Sequence, residues 1–351
     1  MKKYFLLLVV TLFVVSLFAD YSAADYEAMG IETASHQIVP GQRSSRDIPE
    51  GGLLLVPEST NKRVMAFDPI TGDLIDENFI PADDTNLSTP IQAALHPDGN
   101  SILVSDQVDD GVIQYDLDGN FMGWFAPAGG VNNNILNNCR GWSLKADGSI
   151  LVCNSGTSSA NPDCVAEFDA SGNYVSNFIA SGLGGMDSPF CVLYRSSADD
   201  YLVSTSTSNA VHQYDNAGNY VGDLVSGLNF LEQICETSSG NLLIAAFSTP
   251  SGCYEYTNTG TYVGYYDVVS SLRGVYELGN GNILVTNGDG VFEIDRNNSL
   301  VSTKFSGVSG RFITFVEGSG GNTQFAPPAN VAVNEETALV TWTPPAAVIS
   351  S

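Results

Sequence analysis

Leu53-Leu54-Leu55-Val56, Ile102-Leu103-Val104, Ile150-Leu151-Val152, Tyr201-Leu202-Val203, Leu242-Leu243-Ile244 and Ile283-Leu284-Val285 are six short apolar runs whose spacing decides the fold. Their first residues stand 49, 48, 51, 41 and 41 positions apart. Repeats of this length that carry only strand signals point to propeller blades. Helical repeats would instead place apolar residues at three- and four-residue steps.

Each run is followed by a polar turn and a second strand ending in an aromatic residue and usually Asp, at 64–68, 112–116, 165–169, 211–215 and 291–295. The fifth block ends this strand in Tyr256-Thr257. Tight turns come next: Asp116-Leu117-Asp118-Gly119, Asp169-Ala170-Ser171-Gly172, Asp215-Asn216-Ala217-Gly218 and Thr257-Asn258-Thr259-Gly260. Such a turn puts one residue at positive φ, where glycine costs least. In the sixth block Asn298 takes that place, and asparagine tolerates the left-handed region. A further strand follows, opening Phe121-Met122, Tyr174-Val175, Tyr220-Val221 and Tyr262-Val263, whose rings are expected between blades. An inner strand precedes each anchor, as Ala93-Ala94-Leu95 does before His96-Pro97-Asp98-Gly99. Four strands per block is the make-up of a propeller blade.

Inner strands are expected near 91–95, 140–144, 190–194, 231–236 and 273–278, but Pro40, Gly41, Pro49, Gly51 and Gly52 break the sequence before the first anchor. Residues 311–316, Arg-Phe-Ile-Thr-Phe-Val, form a strand with no anchor after it. The expected fold is therefore all-β: a six-bladed propeller of four-stranded blades, closed by this C-terminal inner strand beside the first anchor. Closure removes the open sheet edges that invite aggregation.

The flanks read differently. Met1-Lys2-Lys3, an uncharged and mostly apolar run from Tyr4 to Phe18, and Ala19 before Asp20 read as a secretory signal peptide over 1–19. That apolar run is shorter than the roughly 20 residues a spanning helix needs. The chain is thus expected to be secreted or held at the cell surface, with no transmembrane segment once the signal is removed. A lead-in covers 20–45 and the propeller 46–317. The formal charge of −26, from 39 acids and 13 bases, argues against nucleic acid and anionic membrane partners.

The block Leu55-Val56-Pro57-Glu58-Ser59-Thr60-Asn61-Lys62-Arg63-Val64-Met65-Ala66-Phe67-Asp68 resembles an NHL repeat, and Ile102 to Gly119 resembles it too, while the other blocks drift from the pattern. The resemblance implies a six-bladed propeller of the NHL or TolB-like kind over residues 46–318. That group includes scaffolds, binding modules and a few enzymes, and so reused a fold does not fix function. Beyond a linker at 318–326, Pro327-Pro328-Ala329-Asn330-Val331-Ala332-Val333 and Ala338-Leu339-Val340-Thr341-Trp342-Thr343-Pro344-Pro345 resemble the opening strands of a fibronectin type III domain. Such a sandwich takes about 100 residues, so 327–351 is expected to be its truncated start, in a fragment of a longer chain.

Three features bear on chemistry. Ten residues before the anchors lie Gln92, Arg140, Cys191, Glu232 and Arg273, and Arg311 opens the closing strand. Inner strands line a propeller's channel, so these positions are expected to form a ring at one mouth. Three of the chain's eight arginines fall there, and guanidinium forks suit carboxylate or phosphate. The bland alternative is that they pair with Glu232 or cap carbonyls. Second, six cysteines allow 15 pairings. Cys153 and Cys164, which close a hairpin loop, are the disulfide candidate, with Cys139 and Cys191 a second pair. Cys235 and Cys253 read as small buried residues. Third, no catalytic or metal residues are assigned: His36, His96 and His212 are scattered, and the Asp-rich turns vary too much for calcium loops.

The expected role is a non-catalytic binding module for a protein, glycan or small anionic ligand, needing no cofactor. The alternative is an enzyme of the gluconolactonase or lyase kind around a divalent cation such as Ca²⁺, to which Asp106, Asn154 and Asn287 would contribute.

Overall fold

The computed structural model describes residues 48–156 and 161–318, together with the backbone of 329–334 and 339–343. The expected signal peptide, most of the lead-in and the linker beyond Gly318 lie outside the described residues.

Six antiparallel sheets of four strands make up the body. The anchor runs form the second strand of each blade: Leu53–Glu58, Ser101–Asp106, Ile150–Asn154, Asp200–Thr205, Leu242–Ala246 and Ile283–Thr286. Every residue in them is buried. Strand alternation explains how one run serves two interfaces. In blade 1, Leu53 and Leu55 pack toward blade 2 beside Ile102 and Val104, whereas Leu54 and Val56 pack toward blade 6 beside Leu284 and Val291. Six apolar clusters, one at each blade interface, constitute the core.

Inner strands run Pro90–Leu95, Cys139–Leu144, Pro189–Arg195, Leu231–Glu236 and Gly274–Glu277 in blades 2 to 6. Blade 1 takes its inner strand from the far end of the propeller: Thr314–Val316 pairs antiparallel with the first anchor, with Leu53 opposite Val316 and Leu55 opposite Thr314. Ring closure is therefore as the sequence predicts, but the strand is shorter. Residues 311–313 leave the ladder. The Arg311 amide donates to the Pro57 carbonyl, and the Phe312 amide donates to Ile91 of blade 2.

The turn glycines have the predicted backbone, with φ of 77° at Gly172 and 80° at Gly218, and Asn298 stands in at 62°. They also have a second reason to lack a side chain. A Cβ on Gly172 would run into the Phe125 carbonyl of the preceding blade, and one on Gly218 into that of Phe178. Asn298 instead accepts hydrogen bonds at Oδ1 from the Asp267 and Val268 amides.

Of the rings on the outermost strands, Trp124 and Tyr174 pack against the cores between blades as expected, whereas Phe121, Tyr220 and Tyr262 are exposed. Phe121, Tyr174, Tyr220 and Tyr262 pack edge-on against Tyr115, Phe168, Tyr214 and Tyr256 of their own blades, at 5.7–6.0 Å between centroids. Beyond the propeller, Ala329–Asn334 and Leu339–Thr343 form an antiparallel pair where the fibronectin-like strands are expected.

Candidate functional site

The ladder register fixes which side chains share a level along the axis. Ala93, Trp142, Val192, Ile234 and Val275 face the centres of their anchor strands, opposite Val104, Val152, Val203, Ile244 and Val285. Two residues earlier stand Ile91, Arg140, Phe190, Glu232 and Arg273, joined by Arg311. Gln92 and Cys191 are therefore not in the charged ring; they stand one residue further along their strands. The cause is hairpin length. Six residues separate Leu95 from its partner Ile102, and six separate Tyr194 from Tyr201, but only five separate Leu144 from Ile150. Counting back from the anchors slips by one in blades 2 and 4.

Four of the predicted positions do gather. Glu232 is 2% exposed, and Arg140, Arg273 and Arg311 are its electrostatic neighbours. Burial pushes its carboxyl up to about 7, against the opposing pull of the three guanidinium groups. Burial pulls Arg140 and Arg311 down to about 10, with Arg273 adding to the effect at Arg311. Both remain cations at neutral pH.

None of the three arginines forms an ion pair with Glu232, among the described residues. Arg140 Nη1 donates across to blade 4, to the Ser188 carbonyl and hydroxyl and the Ser206 hydroxyl at 3.1–3.2 Å, and its guanidinium lies 4.1 Å from the Phe190 ring centroid. Arg311 donates to Ser59 Oγ, and Arg273 lies over the Phe247 ring at 5.0 Å. Arg140 Nε, Arg273 Nε and Glu232 Oε2 are buried without a partner. Groups of this kind, gathered and unspent, can clasp an anion that brings both acceptors and a hydrogen.

The residues a cation-dependent enzyme would use are committed elsewhere. Asp106 accepts four backbone N–H groups of its own blade's loops, from Ser88, Thr89, Val108 and Asp109. Asn154 accepts from the Asn137 amide, and Asn287 from Asp289 and Gly290. They tie down the loops at this end of the blades. Among the described residues, no group of three or more His, Cys, Asp or Glu side chains could hold a metal ion.

The cysteine pairing is corrected. Cys164 pairs with Asn154 and Cys153 with Val165, so the two cysteines are one step out of register. Their side chains leave opposite faces of the sheet, Cys164 toward blade 2 and Cys153 toward blade 4. Both are free thiols, as are Cys139 and Cys191, which lie in different interblade clusters. Cys253 is buried as expected, whereas Cys235 is half-buried.

Sequence reading passes over one cluster. On blade 4, Ser208 Oγ stands 3.0 Å from His212 Nε2, and His212 Nδ1 stands 2.7 Å from Asp223 Oδ1. The order is that of a hydrolytic triad, but the hydroxyl is fully engaged. Ser208 Oγ also lies 2.7 Å from Thr205 Oγ1 and accepts the Asp187 amide. With every bonding direction used, it clamps the turn rather than presenting a nucleophile. The imidazole, 2% exposed, is part of that clamp.

Fold and topology together define a six-bladed β-propeller. No family model and no curated protein matches the chain. Among solved structures, a protein of unknown function from Bacteroides caccae aligns with a TM-score of 0.54 at 16% identity, over 75% of this chain and 98% of its own. A chain in a nidogen/laminin complex aligns at 0.59 with 13% identity, over 76% of this chain and 98% of its own. At such identities the likeness concerns the fold. Among the described residues no helix is long and apolar enough to cross a membrane.

Proposed function

We propose that this chain is an exported, NHL-like binding module whose arginine-lined mouth takes a carboxylate-bearing ligand, free or carried on a protein or glycan partner. The observation that carries this reading is the gathering of Arg140, Arg273 and Arg311 around buried Glu232 with no ion pair among them. The overall charge is −26, so selective placement of cations at the axis works against the general field of the surface. The likeness to a chain in a nidogen/laminin complex supports protein partnership for a propeller of this shape. Fibronectin-like strands downstream and the signal-like N-terminus fit a module working outside the cell.

Calorimetric titration of the full chain with citrate and succinate tests the reading. Saturable binding is expected, weakened about tenfold or more by Arg273→Ala, since a charge-assisted contact contributes roughly 1.5–3 kcal/mol. Unchanged affinity in that variant, alongside lowered stability, would leave the arginines a purely structural role. A parallel titration with Ca²⁺ addresses the enzyme alternative: tight binding reversed by chelator would favour it.

A further inference from the structure

The axis has a second end, which the anion reading leaves unused. Past Phe312, the C-terminal halves of the inner strands surround a cavity of about 440 Å³. That is within the range of roughly 300–1,000 Å³ typical of small-molecule sites. Trp142, Tyr276, Phe312 and Phe315 contribute to its wall, and its acidic residues are Glu236 and Glu317. Among the described residues no lysine, arginine or histidine lines it.

Three observations say what it fits. Aromatic faces attract cations through the ring quadrupole, most strongly where water is excluded. Among the described residues neither acid has an ion pair, and Glu236 accepts a 3.3 Å hydrogen bond from Ser197 Oγ. Third, two hydrogen-bonding groups of the wall are buried without partners. They are the indole Nε1 of Trp142, a residue 3% exposed, and Thr314 Oγ1. Hydrocarbon alone would leave both unpaired, at the usual penalty for buried polar groups.

We propose that this cavity is a second ligand site, selective for an organic cation: an alkylated ammonium whose head meets the aromatic rings and whose ester or ether oxygen takes the hydrogen from Trp142 or Thr314. Glu236 and Glu317 draw the cation to the mouth and repel the anions that suit the arginine end.

The test compares acetylcholine with its uncharged isostere 3,3-dimethylbutyl acetate, by calorimetry on the full chain. Acetylcholine should bind saturably, and the isostere about tenfold more weakly, as a cation–π contribution of roughly 1–2 kcal/mol requires. The double variant Glu236→Gln/Glu317→Gln should weaken acetylcholine severalfold and leave the isostere unchanged. Trp142→Phe should weaken both, through loss of the indole donor; should that variant fail to fold, the rim variant still decides. Arg273→Ala should leave acetylcholine binding intact, which keeps this result separate from that of the anion site. Equal affinity for the two esters, indifference to the rim variant, or no saturable binding of acetylcholine would overturn the proposal.

Discussion

The two ends of the propeller axis are built from the same six inner strands, yet one presents guanidinium groups around a buried carboxyl and the other presents rings and acids. A distance of two or three residues along each strand separates them. What keeps them apart is the layer between, where Gln92, Gly141, Cys191, Gln233, Gly274 and Phe312 stand. Phe312 touches Phe190, on which Arg140 rests, and its other side lines the cavity. Gly141 is small because Phe312 needs the room: a Cβ there would come within 2.7 Å of the ring. Gln233 spans the seam of the ring, accepting the Val275 and Ile313 amides and donating to the Ile313 carbonyl. One ring and one amide thus stand between the arginine cluster and the cavity. The chemistry of each end is a property of strand position, not of separate domains.

Removing the divider should produce the largest effect. Phe312→Ala deletes a ring that is 1% exposed and packed against Ile91, Phe190 and Cys191. A loss of about 3–5 kcal/mol in unfolding free energy is expected, measurable by denaturant titration. Where enough fold remains, ligands at the two ends should compete; in the wild-type chain they should not. A loss below about 1 kcal/mol would mean the ring is not the partition described here.

Next comes the buried carboxyl. With Glu232 raised to about 7 from an ordinary 4.5, the folded chain holds a proton that the unfolded chain releases between those values. Stability should therefore fall as pH climbs through that window and level off above it. The change is on the order of 3 kcal/mol, from the value of a pH unit in free energy. Glu232→Gln carries no such proton, so it should match the wild type near pH 4 and exceed it near pH 8. Thermal unfolding across pH gives the answer. The same variant should flatten the pH dependence of anion binding at the arginine end and leave the ammonium end alone. A parallel pH slope in both proteins would place the titration elsewhere.

Blade number, blade make-up and closure were legible in the chain because each rests on local patterning: the apolar anchors, the positive-φ turns and the orphan strand at 311–316. The charged cluster was legible only in part. Arg140, Glu232 and Arg273 were found by counting from anchors and Arg311 as the opening of the closing strand, and the count failed where His96 to Ser101 and Arg195 to Asp200 make hairpin links one residue longer. The Pro97-Asp98-Gly99-Asn100 turn, set beside the shorter Ala146-Asp147-Gly148, held the signal that would have corrected blade 2. The Cys153–Cys164 pairing failed for a related reason. Closeness along a hairpin says nothing of which face a side chain leaves, and a one-residue offset reverses it. The ammonium cavity had no linear signature, since Trp142, Tyr276 and Phe315 meet only after the ring closes.

The smallest effect tests the register itself. Gln92 belongs to the dividing layer, where its Oε1 accepts the Trp142 amide at 2.8 Å and its side chain lines the cavity. Gln92→Ala leaves that N–H without its partner, at a cost of about 1–2 kcal/mol. Being next to Trp142, the change should weaken acetylcholine binding slightly and leave citrate affinity unaltered. Gln92→Glu retains an acceptor and should recover most of the stability. It also sets a carboxylate in the layer, so affinity for the ammonium probe should rise rather than fall. If Gln92→Ala instead weakened citrate as Arg273→Ala does, residue 92 would belong with the arginines, and the one-residue difference in hairpin length would not govern which end of the axis a side chain serves.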